Sequence, residues 1–338
     1  HVQAREIDFV TSFGKNLKAL LDILGIVRMI RKENNSVLKT KTVKGELQSG
    51  DVGEGEEIRN FFVTVDFKQD EIDNFRISMI DKDINQEQIL LRNKDGVYVL
   101  TPVLNQVYTF KGDYPLNSPK PYLYHSYVEA IKGKYDVINN ADGYTVTFDT
   151  NYDNEPNWSK QEIKFSKDLK PVWSYIYDNE NNIVVKVIFS KVDFAPTFAD
   201  DYFTVDANMK NAKDNLSSDH VSTSIDDLPL IPAETNNTTL KEQTKVVSKD
   251  GKVSYILTYT GDKSYTVFQK LIEKNNDNDY QSIEVSGKPV STIYGFGSLQ
   301  GNCLTYLYHD VSYEIFSKDL TVAEMVNIVT NMERVGVK

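Results

Sequence analysis

Apolar and polar residues alternate along most of 37–192, which is the pattern of β-strands that bury one face. In one such segment Phe61, Val63 and Val65 fall on the same side. The alternation predicts strands over Val37–Leu47, Ile58–Phe67, Asn74–Ile80, Glu87–Arg92, Val97–Thr101, Gln106–Lys111, Tyr144–Thr150, Gln161–Phe165, Pro171–Tyr177 and Ile183–Val192. Because short polar connections such as Asn93–Gly96 join several of them, we expect a meander that forms a curved antiparallel sheet.

Two other segments show helical spacing. Apolar residues recur at helical intervals between Lys15 and Ile30. Pro119 and Pro121 precede a shorter apolar run that ends before Gly133, and proline is well tolerated at the start of a helix. We expect both helices to cover one face of the sheet.

The composition changes within 207–244, where Asn, Asp, Ser and Thr dominate and Leu228–Pro232 is the one apolar island. We therefore predict a domain over 1–206, a linker over 207–244 and a smaller domain over 245–338. In the smaller domain the pattern predicts strands over Lys252–Tyr259, Tyr265–Ile272, Gln281–Val285, Ser291–Tyr294, Cys303–His309 and Val311–Phe316. A helix should follow over Thr321–Val335, because Thr321 and Glu324 have the spacing of a capping box. The predicted fold class is α+β.

Three motifs in the first domain carry a resemblance to a known family. They are Gly96-Val97-Tyr98-Val99-Leu100-Thr101-Pro102, Asn105-Gln106 with Tyr108 and Phe110, and Tyr114-Pro115 with Asn117-Ser118 and Pro121-Tyr122-Leu123. This pattern resembles the segment shared by sporulation and germination lipoproteins of Firmicutes in the LolA-like (lipoprotein carrier) superfamily. The resemblance implies a half-barrel with helices on its concave side, wrapped around a hydrophobic cavity. It also implies a carrier or scaffold rather than an enzyme, located outside the cytoplasm as a membrane-anchored lipoprotein.

The second domain resembles the C-terminal module of the same lipoproteins. The residues that carry this likeness are Leu228–Pro232, Ile256–Gln269, Cys303–Ser317 and Asp319–Ile328. More remotely, the domain resembles the small domain of the periplasmic regulator that protects an anti-sigma factor. Together the resemblances cover nearly the whole chain and imply that the partner is a protein of the cell envelope.

The alternating apolar positions of the first domain form the candidate ligand-binding site. They are Phe61, Val63, Val65, Phe75, Ile77, Met79, Val97 and Val99. In one interpretation these side chains pack with the helices as an ordinary core, which the large residues among them would fill. In the other, which the resemblance to lipoprotein carriers implies, some of them line an open groove for a lipid or acyl chain. The sequence leaves both interpretations open.

The charge and the hydropathy of the chain narrow the choice of partners. A formal net charge of −11 without a cluster of basic residues argues against nucleic acid, which proteins bind through its phosphates. No apolar run approaches the ~18 residues that a membrane-spanning helix needs. We expect any export signal and membrane anchor to lie outside these 338 residues.

Two motifs resemble ligand-binding loops but lack residues that such loops require. The run Asp149–Glu155 has oxygen ligands at alternating positions, but Asn154 and Lys160 stand where a calcium loop needs Gly and Glu. The glycines of Gly295–Gly301 match neither the dinucleotide nor the P-loop spacing, and predict a turn between strands. We therefore expect no metal and no cofactor.

The single cysteine and the histidines form no catalytic set. Cys303 lies on one face of a predicted strand, which is typical of a buried structural thiol. The four histidines are His1, His125, His220 and His309, and their spacing is not that of a zinc site. No pair of carboxylates stands out as a general acid and base. The sequence therefore predicts that the protein is not an enzyme.

These observations predict a non-catalytic extracytoplasmic envelope lipoprotein that acts as a protein-binding scaffold or regulator in sporulation or germination. The alternative belongs to a different class, a carrier of lipid or lipoprotein acyl chains in a hydrophobic cavity. The two differ in whether the apolar face that begins at Phe61 is filled or open.

Overall fold

A computed structural model of the protein describes residues 40–49, 59–83, 85–110, 120, 123, 126–127, 130, 133–150, 152, 157–214, 223–233, 237–272, 280–285, 287–292, 295–308 and 310–334. The helix predicted over Lys15–Ile30 lies outside these residues. Of the helix predicted before Gly133, the described residues Ser126, Tyr127 and Ala130 are helical.

Most of the described residues between Thr40 and Asp193 belong to one sheet, which we name the large sheet. Its strand order is β16-β6-β5-β4-β3-β2-β1-β11-β10-β9-β8-β7. The strands are β1 (Thr40–Ser49), β2 (Arg59–Gln69), β3 (Asp73–Asp81), β4 (Gln86–Asn93), β5 (Gly96–Thr101), β6 (Gln106–Phe110), β7 (Asp136–Asn140), β8 (Gly143–Asp149), β9 (Trp158–Ser166), β10 (Pro171–Asp178), β11 (Ile183–Asp193) and β16 (Gln281–Glu284). Neighbours pair antiparallel except β16, which adds in parallel to β6. The predicted antiparallel sheet is confirmed, while its closure into a half-barrel with helices on the concave side stays a prediction.

A second sheet, the small sheet, follows along the chain. Its order is β13-β14-β15-β20-β19-β18-β17, and all its pairs are antiparallel. The strands are β13 (Thr238–Val247), β14 (Val253–Gly261), β15 (Tyr265–Leu271), β17 (Lys288–Thr292), β18 (Gly295–Gln300), β19 (Cys303–Tyr308) and β20 (Val311–Ser317). Two short strands, β12 (Leu230–Pro232) and β21 (Met332–Arg334), pair with each other.

Regular elements occupy both ends of the segment 207–244 that the sequence predicts as a linker. Helix α1 (Val205–Asp214) packs Met209 and Ala212 against Ile89 and Leu91 of the large sheet. At its other end the segment contains β12 and most of β13, and both strands belong to the second half of the fold. The polar composition of this segment hides these elements because β13 exposes most of its side chains and the described apolar residues that α1 buries are only Met209 and Ala212. The boundaries 1–206 and 245–338 stay predictions.

Helix α2 (Val322–Thr330) begins at the predicted capping box. The Thr321 hydroxyl accepts the backbone N–H of Glu324 at 3.2 Å, and the Glu324 carboxylate accepts the backbone N–H of Thr321 at 2.8 Å. The predicted end of the helix at Val335 is wrong, because the chain leaves the helix after Thr330 to form β21 against β12.

The sequence predicts a turn over the glycine-rich run Gly295–Gly301. This prediction is wrong, because the run is a strand except at its last residue. Gly295–Gln300 form β18, which pairs with β17 and β19, while Gly301 lies in the following turn with φ at 57°. A Cβ atom added to Gly297 would lie 2.8 Å from the Tyr306 ring. Glycine therefore serves here for close approach inside a sheet rather than for a turn.

The two faces of the large sheet pack against different parts of the chain. We name the side that carries Ile89 and Leu91, and that α1 covers, the Ile89 face. The opposite side is named the Phe75 face, and its buried residues in β2 to β6 are Phe61, Val63, Val65, Phe75, Ile77, Met79, Leu90, Val97, Val99 and Phe110. In the small sheet, α2 packs Met325, Ile328 and Val329 on one face.

Gln269 ties β12 to the small sheet. Its side chain is 0 % exposed, donates to the carbonyl of Leu230 at 2.7 Å and accepts the N–H of Leu230 at 3.0 Å. Both backbone groups of a buried residue are thus satisfied by one amide, as a buried backbone requires.

Replacing Gln269 by leucine should destabilise the protein by about 2–4 kcal/mol, because it leaves the buried N–H and carbonyl of Leu230 without partners. The free energy of unfolding in urea measures this. Lys270→Ala, at the next and exposed position, is the control and should change stability by about 0.5 kcal/mol or less. Equal losses in the two variants would show that Gln269 does not hold β12.

Candidate functional site

The eight apolar residues predicted as a ligand-binding site lie together on the Phe75 face in one cluster. The register places Val63 opposite Met79 and Val65 opposite Ile77, and Leu90 of β4 completes the row toward Val99. Each of the eight side chains has 5 % or less of its surface exposed. The alternation in the sequence therefore located one continuous surface, and its role as a binding site stays a prediction.

Other parts of the chain cover this face. Phe296 of β18 and Leu123 are members of the same cluster, and each is 2 % exposed. Phe67 packs on Phe75 with ring centroids 5.0 Å apart, and Trp158 also contacts the cluster. Large side chains thus meet one another across the face, as in a close-packed protein core.

Arg59 fixes the end of helix α2 to the large sheet. Its side chain lies at the start of β2, on the Phe75 face, and is 5 % exposed. The guanidinium donates hydrogen bonds to the Tyr308 hydroxyl, to the Thr330 backbone carbonyl and, at 3.2 Å, to the Asn331 side-chain oxygen. Thr330 is the last residue of α2, where the helix dipole favours a positive charge. A buried cation therefore joins the two sheets.

A hydrogen bond from a backbone N–H to a side chain joins the two sheets at a second place. The N–H of Phe296 donates to the side-chain oxygen of Gln88 at 3.0 Å, and Gln88 lies opposite Met79 on the Phe75 face. At the edge of the large sheet, β16 pairs with β6. The second half of the chain therefore supplies both a side chain and a strand to the first half.

Buried charges on the Ile89 face are paired with one another. Asp66 is 2 % exposed and accepts hydrogen bonds from the hydroxyls of Thr42 and Tyr202, both at 2.7 Å. The guanidinium of Arg76 forms two ion pairs: its Nη1 lies 3.8 Å from Oδ2 of Asp66, and its Nη2 lies 3.3 Å from Oε1 of Glu87. Burial, and then the charge of Asp66, raises the pKa of the Tyr202 hydroxyl, so this group stays protonated as a donor.

The alternation of apolar residues did not predict this network, although the sequence contains a signal for it. Asp66 and Arg76 occupy positions directly opposite each other in β2 and β3, on the side away from the alternating apolar residues. Opposite charges at facing positions of adjacent strands would have indicated a pair. Because every charge in it faces an opposite charge or a hydroxyl, the network stabilises the fold rather than exposing a reactive group.

The other groups considered from the sequence are the cysteine, the histidines and the calcium-like run. Burial, and then nearby Glu314, raises the pKa of the Cys303 thiol, which keeps it in the unreactive protonated form. The four histidines lie outside the described residues, as does Asn154 of the calcium-like run. Within the described ranges, no group of three or more His, Cys, Asp and Glu could hold a metal ion. In the same ranges, no helix has the length and apolar character to cross a bilayer.

A cavity of about 290 Å³ lies where the β2–β3 and β4–β5 turns approach 200–204. Lys68 and Asp70 on its wall form an ion pair at 3.1 Å, and Asn93 donates to the carbonyl of Phe203 at 2.9 Å. Its charged side chains are of both signs and largely exposed, which is typical of a solvated surface.

The chain is similar to proteins from several bacteria. It is 32 % identical over 267 residues to sporulation protein YdcC of Bacillus subtilis, and the match covers 77 % of each chain. Among solved structures, the MucA/MucB complex of Pseudomonas aeruginosa matches with a TM-score of 0.31 and 11 % identity, over 93 % of this chain and 99 % of that one. A LolA superfamily protein of Nitrosomonas europaea matches with a TM-score of 0.28 and 12 % identity, over 54 % of this chain and 97 % of that one. No protein-family model matches the chain.

Truncation of Phe75 should be costly because its ring is enclosed by the cluster. We expect Phe75→Ala to lower the free energy of unfolding by about 3–5 kcal/mol, as large core truncations do. Phe62→Ala is a matched control in the neighbouring strand, where the ring is 48 % exposed on the other side of the sheet, and should cost about 1 kcal/mol or less. A near-neutral Phe75→Ala would mean that the ring faces open space.

Proposed function

The chain belongs to the family of sporulation protein YdcC of Bacillus subtilis, and we propose that it is a protein-binding scaffold or regulator of the cell envelope. It acts in sporulation or germination, outside the cytoplasm, and an anchor holds it at the membrane. It binds another envelope protein and catalyses no reaction.

The packing of the Phe75 face is the observation that supports a scaffold over a carrier. A carrier needs an open cavity that its cargo can enter and leave. Here the chain's own side chains, including Phe296 from the small sheet, occupy the face from β1 to β6. Such a face holds the two sheets together and leaves the exterior for partners.

The state of the polar groups supports a binding role over a catalytic one. Arg76 forms ion pairs with both Asp66 and Glu87, and the Cys303 thiol has a raised pKa. A catalytic acid, base or nucleophile works best when its pKa lies near the working pH. The described charged groups instead stabilise the fold or lie in solvent.

A carrier of acyl chains is the second candidate, and the continuity of the Phe75 face favours it. The buried apolar row runs through β1, β2, β3, β4, β5 and β6, and the charged residues Arg59, Asp81 and Arg92 of this face lie near the ends of their strands. If part of the cover moved away, an acyl chain would meet apolar groups along the middle of the row.

Titration with a fluorescent long-chain fatty acid tests the proposal. We expect the purified full chain to show no saturable binding, because the Phe75 face is already filled. Phe62→Ala, which changes only an exposed ring, controls for adsorption to the surface. Binding that saturates at one probe per chain, and that Met79→Trp blocks by filling the groove, would contradict the scaffold and support the carrier.

A further inference from the structure

One edge of the small sheet is a ten-residue strand that is exposed along nearly its whole length. Among the described strands, β13 has a neighbour on one side only, β14. Its residues from Thr239 to Val247 are exposed except Thr244, which is half-buried. We propose that this edge is the docking site of the protein partner, which adds an extended, acidic segment as a further strand. The proposal rests on the proposed function, since it names the surface and the chemistry of that partner.

The backbone of an edge strand is what a further strand would recognise. About half of its N–H and carbonyl groups point away from the neighbouring strand and can pair with another chain. The six residues Glu242–Val247 pair with β14 in unbroken register, from Thr258 to Val253. That is the length of an ordinary strand, so the segment offers a complete pairing surface.

The side chains of β13 offer apolar contacts on both faces of the added strand. Leu240 and Val247 lie on the face that carries α2, since they stand opposite Tyr259 and Val253, and they are 43 % and 60 % exposed. Val246 lies on the other face and is 39 % exposed. These residues extend beyond the helix that covers the middle of the sheet. A partner strand would remove them from water.

The charge of this edge selects the partner. The hairpin segment 238–252 contains four lysines and two carboxylates, whereas the whole chain has a net charge of −11. Lys241 and Lys245 are exposed on the strand itself. Opposite charges at facing positions of neighbouring strands are favourable and like charges are not. The edge therefore favours an acidic segment over a second copy of itself.

The lysines and a bulge also explain why this edge does not pair indiscriminately. The register between β13 and β14 shifts between Leu240 and Glu242, which leaves Lys241 as the extra residue. Lysines and bulges on edge strands discourage pairing with other edges. Since the bulge precedes Glu242–Val247, it limits pairing to one end and leaves that segment available to a strand of complementary charge.

Binding of a synthetic peptide to the full chain tests the proposal. The probe is a labelled ten-residue peptide, matched in length to β13, in which glutamate alternates with valine and threonine. Its control has lysine at every glutamate. We expect saturable binding of the acidic peptide by fluorescence anisotropy, and slower hydrogen exchange at the amides of Glu242–Val247 when it is bound.

Charge reversal at the edge supplies the matched pair of variants. Lys241→Glu combined with Lys245→Glu should weaken binding of the acidic peptide by about tenfold or more, because two attractive pairs become repulsive. Lys288→Glu places one such charge reversal on β17, the strand at the opposite edge of the same sheet, and should leave binding unchanged.

Several results would overturn the proposal. The acidic peptide could fail to bind saturably, or the lysine peptide could bind equally well. Protection from hydrogen exchange could map away from β13, or Lys288→Glu could weaken peptide binding as much as the double variant does. Self-association that the double variant abolishes would identify a second copy of the chain as the occupant instead. If one of these results is found and the chain binds no fatty acid, the scaffold function is retained and the partner binds at another surface. Stoichiometric fatty-acid binding contradicts the scaffold whatever the peptide does.

Discussion

Burial of the Phe75 face is the constraint on which the rest of the structure depends. Six adjacent strands of the large sheet present one continuous apolar surface, and exposing it to water would cost about 25 cal/mol for each Å². The strands cannot cover this surface themselves. Phe296 and Leu123, which are distant in sequence, supply part of the cover. The same burial thereby attaches the second half of the chain to the first.

Polar groups at the rim make that attachment specific. Arg59 places a cation at the carbonyl end of α2, and Gln88 accepts the N–H of Phe296, so these two groups have defined partners across the contact. Apolar packing alone tolerates shifts, whereas directional hydrogen bonds to buried groups do not. The fixed arrangement leaves the outer edge of the small sheet at β13 as an exposed strand, which connects the buried Phe75 face to the proposed docking site.

The comparison with YdcC confirms the predicted membership in a sporulation protein family. Local patterns in the sequence revealed most of the strands and the apolar surface around Phe75. The alternation around Phe75 was readable because one face is buried and the other is not. Strand β13 lacks that contrast, since both of its faces are exposed, and β18 is rich in glycine because Gly297 meets the Tyr306 ring. The contacts of Arg59 and Gln269 join residues far apart in the chain. No local pattern carries such information.

The central claim is that the chain's own side chains fill the Phe75 face. Native mass spectrometry of the protein purified from the envelope of a sporulating host tests it most directly, because a cargo held in a groove would survive gentle purification. The account predicts the mass of the polypeptide with any covalent anchor and no bound lipid. A stoichiometric, non-covalent lipid that Met79→Trp removes would contradict it.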